Sequence, residues 1–193
     1  MGSIQLHVSM SLDGYTAGPD VSMANPMGEG GEALHAWLGP NPDPVDADVA
    51  AAMFSTDTVG SVLMGRRTLD VGITHWGDDG TFAMPCFVVT NRPHEPIVRG
   101  DTTFTFVTDG LESAVAQARA AADDKAVNVM GANVTHQLLI GGLIDMIEIN
   151  LVPIILGGGT SLFGALPANA VRLEQLDARP SVSVHHLRYR VSH

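Results

Sequence analysis

The sequence predicts an α/β fold in which a mixed sheet of eight strands is flanked by four or five helices and ends in an antiparallel edge. Three observations carry this. The 193 residues are 45% hydrophobic and 16% charged, enough apolar material for a sizeable core. Short β-branched runs alternate with helical stretches through the middle of the chain, as βαβ units do. From residue 145 onward the chain reads as three strands with no helix between them, two of them alternating at period 2, as antiparallel strands do.

Each element has its own signal. "IQLHVSM" (4–10) alternates apolar and polar residues and predicts a strand. "DGYTAGPD" (13–20) is dense in turn formers. "GGEALHAWL" (30–38) predicts a short helix stopped by Gly39-Pro40, and a helical pattern resumes from Asp46 to Met53 after the linker "NPDP". "SVLM" (61–64) predicts a buried strand, and "RRTLDVG" (66–72) a turn or two of helix closed by glycine. "CFVVT" (86–90) and "TFTFVT" (103–108) are strands by composition. "LESAVAQARAAADD" (111–124) is alanine-rich and the strongest helix, followed by a strand at 126–130 and a helix at 133–142. The last three strands are expected at 145–155, 171–178 and 181–191.

Composition excludes several classes. One domain over residues 1–193 accommodates the length. A net charge of −11 argues against a nucleic-acid partner, which selects a basic face. No run of about 20 apolar residues predicts a membrane span. The N-terminus has no basic segment followed by a long apolar one, and the single cysteine, Cys86, suits a reducing compartment, so a cytoplasmic protein is expected.

Against that acidic background, "LMGRRTLD" (63–70) concentrates positive charge where a buried strand ends. Ligands of open α/β sheets bind beyond the carboxyl ends of parallel strands, where helix N-termini present free N–H groups to anions. Gly65 leaves room for a pyrophosphate, and Arg66, Arg67 and Thr68 add donors suited to phosphate. The competing reading pairs the arginines with local aspartates such as Asp70. "CFVVTNRP" delivers Thr90, Asn91 and Arg92 at a second strand end, a set suited to the ribose 2′-phosphate that distinguishes NADPH from NADH. "VNVMGANVT" sets Gly131 before a third helix, with Asn133 as its expected cap. Three such junctions on neighbouring strands point to a dinucleotide.

Together, "SMSLDGYTAGPD", "VLMGRRTLD", "FVVTNRP", "VNVMGANVTHQLLIGGLIDMIEINLVPIILGGGTSLF" and "HLRYRV" resemble the dihydrofolate reductase-like family. More narrowly, they resemble its branch containing the C-terminal reductase domain of the bifunctional riboflavin-biosynthesis enzyme. The likeness runs from about residue 4 to 191. It implies an eight-stranded sheet with NADPH across the strand ends, held by Gly65–Thr68 at the pyrophosphate and Thr90–Arg92 at the 2′-phosphate. Gly131, Ala132, Asn133 and Val134 would lie along the pyrophosphate and nicotinamide ribose. It also implies a homodimer. One position departs from the pattern: relatives carry two glycines before the last helix, and here the first is Met130.

On the substrate side, the resemblance puts Asp13, in "SLDG", beside the reacting group as the catalytic acid, a role that hydride delivery to C=N or C=O requires of some proton source. Asp-Gly is equally a turn pair. His35 and Trp37 are expected on a helix over the cleft, Trp76 as a lid aromatic, and Gly157 and Gly158 in a substrate-side loop. "ILGGGTSLF" does not complete a dinucleotide fingerprint. His185-His186 lack a third ligand, so no metal is expected. The stretch 25–38 lacks the Trp-x-x-Pro segment of folate enzymes, and no deaminase domain is present in the sequence. The expectation is an NADPH-dependent reductase of a small pterin- or pyrimidine-like substrate. A nucleotide-binding sensor that lost turnover, or a reductase using another carrier such as a deazaflavin, are the alternatives.

Overall fold

A computed structural model describes residues 2–164, 166–167 and 171–192. The chain forms β1 (Ile4–Ser11), β2 (Tyr15–Ala17), a 3-10 helix (Gly31–Leu38), α1 (Pro44–Met53), β3 (Val59–Gly65) and α2 (Arg66–Gly72). It continues through β4 (Pro85–Val89), β5 (Ile97–Arg99), β6 (Thr102–Val107), α3 (Leu111–Ala122), β7 (Ala126–Met130) and α4 (Ala132–Ile140). It closes with β8 (Met146–Val152), β9 (Thr160–Ser161), β10 (Arg172–Pro180) and β11 (His185–Ser192).

The main sheet has nine strands, one more than the sequence predicted, in the order β10-β11-β8-β1-β7-β3-β4-β6-β5. The added strand, β5, is three residues long and pairs antiparallel with β6 at the edge. So short a segment has no periodicity to read, and its pairing depends on the turn that folds it back. Six strands, β8-β1-β7-β3-β4-β6, are parallel. β11 and β10 supply the expected antiparallel C-terminal edge. β2 and β9 form a small separate ribbon over the end of β1.

The two faces are covered differently. Leu63, Phe87, Val127 and Val129 point toward α3 and α4, whose Ala114, Ala118, Val134 and Leu138 complete one core. α3 lies close to the sheet because its contact residues are small. Gly60 allows it, since a Cβ there would stand 2.6 Å from the Ala122 backbone. Val62, Met64, Cys86 and Val88 face the other way and pack with Leu69 of α2 and Phe104. A third cluster holds the 3-10 helix and α1 through Leu34, Trp37 and Val49.

Under α1 the sheet face is polar. His186 sets its ring nitrogens 2.8 Å from Asp46 Oδ1 and 2.7 Å from Asn150 Oδ1, and His7 Nε2 lies 3.4 Å from the same Asn150 oxygen. All four residues are buried, and among the described residues Asn150 Nδ2 has no hydrogen-bond partner there. His185 and His186 point to opposite faces as alternation requires, His185 exposed and His186 buried. Among the described residues no group of His, Cys, Asp or Glu side chains could hold a metal ion, and no helix is long and apolar enough to cross a membrane.

Candidate functional site

The parallel strands end side by side, which brings together junctions far apart in sequence. Met64 of β3 pairs with Met130 of β7, and Gly65 pairs with Val89 of β4. The chain segments beginning at Gly65, Thr90 and Gly131 therefore leave the sheet as neighbours. α2 and α4 both start on a glycine N-cap with no side-chain cap, so no side chain occupies their first-turn N–H groups. Asn133, expected as the cap of α4, instead sits within its first turn, where its Oδ1 accepts a hydrogen bond from Gln137 Nε2 at 2.7 Å. The cap is Gly131, whose φ of 91° disfavours a side chain.

The two helix starts touch. A Cβ on Gly131 would lie 2.2 Å from Thr68 Oγ1, and one on Gly65 would lie 3.3 Å from Val134 Cγ2. Ala132 follows in the first turn of α4, half-buried. Met130 turns toward the opposite core face and packs, partly buried, against the cluster of Val62, Met64 and Val88.

The arginines are partnered within the chain. Arg66 Nε lies 2.6 Å from Asp70 Oδ1, and its guanidinium carbon stands 5.2 Å from the centroid of the Phe106 ring. Arg92 Nη2 lies 3.9 Å from Asp70 Oδ2, with the Arg92 side chain 70% exposed. Arg92 N–H also donates to Thr90 Oγ1, closing a tight turn around the exposed Asn91. Arg67 Nη2 donates to Val21 O at 3.1 Å, and His75 Nε2 lies 3.2 Å from Met23 O. The loop after β2 is thereby tied across to α2.

At the end of β1, Asp13 accepts three hydrogen bonds: from Ser11 Oγ at 2.6 Å, from Leu156 N–H at 3.1 Å and from Gly157 N–H at 2.7 Å. The Ser11 hydroxyl, then the two loop amides, hold its carboxyl below the usual carboxylate range. Leu12 N–H donates to Ile154 O and Leu162 N–H to Gly14 O, so the loops after β1 and β8 are stitched together with Asp13 at their centre.

A family model of the RibD C-terminal domain matches residues 3–185. The chain belongs to the RibD C-terminal domain family. No curated protein matches it. Among solved structures, a riboflavin biosynthesis protein from Shewanella sp. PV-4 is 28% identical with a TM-score of 0.75, and each chain covers 100% of the other. A diaminohydroxyphosphoribosylaminopyrimidine deaminase/5-amino-6-(5-phosphoribosylamino)uracil reductase from Thermotoga maritima is 14% identical with a TM-score of 0.66; 98% of this chain matches 56% of that one. A dihydrofolate reductase from Enterococcus faecalis, solved with NADP(H), is 15% identical with a TM-score of 0.60 over 100% of this chain and 98% of that one. The fold is therefore dihydrofolate reductase-like.

Within this RibD C-terminal domain, several residues expected on the substrate side are placed elsewhere. Trp37 is buried; its Nε1–H donates to Ser9 Oγ at 3.0 Å and its ring meets His186 edge-on at 5.2 Å. It anchors the 3-10 helix and has no face to offer a substrate. Trp76 stacks at 12° on Phe104 and meets Phe82 edge-on, seated against Gly72, where a Cβ would stand 2.3 Å from its ring. Its ring packs against Phe82 and Phe104 while remaining partly exposed. Asp13, expected as the acid, is instead engaged by three donors within the chain, which hold its carboxyl below the usual range.

His35 lies on the outer side of the 3-10 helix, and desolvation by the surrounding chain lowers its pKa. Gly157 and Gly158 do lie in a loop beside the end of β1, where a Cβ on Gly157 would meet nothing within 4 Å. Sequence reasoning missed Ser11, which orients Asp13; it named Asp70 as a partner for the Arg66-Arg67 pair but not for Arg92. The alternation His7, Ser9, Ser11 along β1 was the available signal for a polar sheet face.

Proposed function

We propose that this RibD C-terminal domain is an NADPH-dependent reductase of a pyrimidine- or pterin-like ring. The observation that carries the proposal is the convergence of three strand-end junctions, two with glycine-capped helix starts, and of Arg66, Arg67 and Arg92 around them. This donor set fits an anionic dinucleotide, because uncapped N–H groups and guanidinium groups both favour phosphate. Gly65–Thr68 and Gly131–Val134 would hold the pyrophosphate and nicotinamide ribose, and Thr90, Asn91 and Arg92 the 2′-phosphate. NADPH, when bound, supplies the hydride.

The chain's remaining work is positioning. Asp13 fixes the loop carrying Gly157 and Gly158 against β1, which shapes the substrate side of the cleft. The three donors on Asp13 hold its carboxyl below the usual range, and the surrounding chain lowers the pKa of the solvent-facing His35. In this reading the proton that accompanies the hydride comes from solvent admitted to the cleft, since Asp13 is engaged by Ser11 and by two amides of the loop it holds. The test is oxidation of NADPH, followed by nicotinamide absorbance, against a panel of aminopyrimidine, pterin and enone acceptors. NADPH binding without turnover on any acceptor would favour the sensor reading instead.

The same reading includes a cytoplasmic homodimer. All nine residues of β10 are exposed, and among the described residues its outer edge has no pairing strand. Leu173 and Leu176 are exposed, and Leu173 lines a shallow apolar hollow together with Leu139, Ile147, Phe163 and Leu166. A free edge strand invites a further strand. β10 also carries both signs of charge, so an antiparallel copy can set Glu174 opposite Arg179 on one sheet face. Sedimentation equilibrium should show a dimer, and Leu173→Glu with Leu176→Glu a monomer; a wild-type monomer at micromolar concentration would remove this part of the reading.

A further inference from the structure

We infer that Asp70 is an internal counter-anion that sets how strongly this site selects a 2′-phosphate. The inference rests on the reading of Arg92 and Arg66 given above. Two arginines from separate strand-end junctions converge on one carboxylate, Arg66 Nε at 2.6 Å from Oδ1 and Arg92 Nη2 at 3.9 Å from Oδ2. Arg66 has a second support in the Phe106 ring, so its orientation does not depend on Asp70 alone. Among the described residues no aromatic ring supports Arg92: its side chain is 70% exposed, and its link to Asp70 is the longer of the two.

A phosphate that reached Arg92 would meet the Asp70 carboxylate as a like charge, and would have to draw the guanidinium away from it. Asp70 is itself 38% exposed on its side chain and sits in the last turn of α2, where it can rotate toward solvent. The arrangement lets the chain keep its arginines neutralised while empty, and lowers the advantage of a 2′-phosphorylated nucleotide over an unphosphorylated one. Asp70 is thus a specificity-determining residue that acts against the charge it neighbours.

The test compares adenosine 2′,5′-bisphosphate with 5′-AMP, which differ only in the 2′-phosphate, by titration calorimetry on the full chain. Asp70→Asn should tighten the bisphosphate by about two- to fivefold more than it tightens 5′-AMP, the size expected for an exposed charge pair, since the 5′-phosphate senses only the released Arg66. The gain should shrink at high salt, because screening weakens exposed charges. Asp70→Ala should give the same sign, and thermal melting confirms that both variants fold. Arg92→Ala is measured in parallel. If it lowers the bisphosphate preference but Asp70→Asn does not raise it, the counter-anion inference is wrong and the cofactor reading stands. If Arg92→Ala leaves the preference untouched, the 2′-phosphate reading fails and this inference with it.

Discussion

The Asp13 carboxylate and the Gly157 backbone lie 144 residues apart in sequence and meet at 2.7 Å, amide donating to Oδ2. With Ser11 and Leu156 completing its partners, Asp13 ties the loop after β8 to the end of β1. The residue expected as a proton donor thus accepts three hydrogen bonds and holds the loop of residues 156–157.

Asp13→Asn separates these roles. The amide group preserves shape but turns a donor toward one of the loop N–H groups. Steady-state kinetics with a working acceptor should show a raised KM and a turnover loss well short of the roughly 10²–10⁴ expected on removing a general acid. The NADPH dissociation constant and the pH profile of kcat should be unchanged. A loss on the full general-acid scale with a shifted pH profile would restore Asp13 as the acid.

Arg92→Ala should weaken NADPH binding by about tenfold, the low end for a charge-assisted hydrogen bond at an exposed site, with NADH barely affected. Equal losses for both nucleotides in calorimetry would count against a 2′-phosphate contact.

Gly131→Ala should cost about 1–3 kcal/mol in chemical denaturation, from a φ of 91° and a Cβ placed 2.2 Å from Thr68 Oγ1. Adding Thr68→Ala removes the clash but not the dihedral strain. The double variant should recover part of the loss, and no recovery would mean that the two helix starts do not touch.

Met130→Gly should lower stability by about 1–3 kcal/mol, because the side chain packs against the second core cluster and glycine loosens the strand end. NADPH affinity should hold or improve. A large affinity loss in a folded variant would reveal cofactor contacts from Met130.

Stability should fall on mild acidification. Burial, partly offset by Glu148, lowers the His7 pKa from its ordinary 6.5, so in this range the unfolded chain binds a proton that the folded chain refuses. Stability from the neutral imidazole is complete above pH 6.5 and is lost as pH drops toward the lowered folded value. Thermal melts of wild type and His7→Gln across this range should differ, with the variant flatter; parallel curves would move the effect to another group.

Much of this protein was determined by local sequence. Periodicity and β-branched runs fixed the strands of the parallel core, "RRTLDVG" marked α2 to the residue, and the motif order carried the dihydrofolate reductase-like family. Glycines at strand ends marked the junctions, because backbone conformation and helix starts are short-range properties. Partnership is long-range, and only the tertiary structure decided it. Trp37 and Trp76 read as candidate ligand aromatics until Ser9, His186 and Phe104 occupied their surfaces. Asp13 became an acceptor because the loop from residues 156–157 brought two amides to it. Asp70 came to face Arg92, 22 residues away, because β3 and β4 pair in parallel and set α2 beside the turn after β4. A titratable or aromatic side chain takes its role from what surrounds it, and in this chain those surroundings are assembled across the sheet.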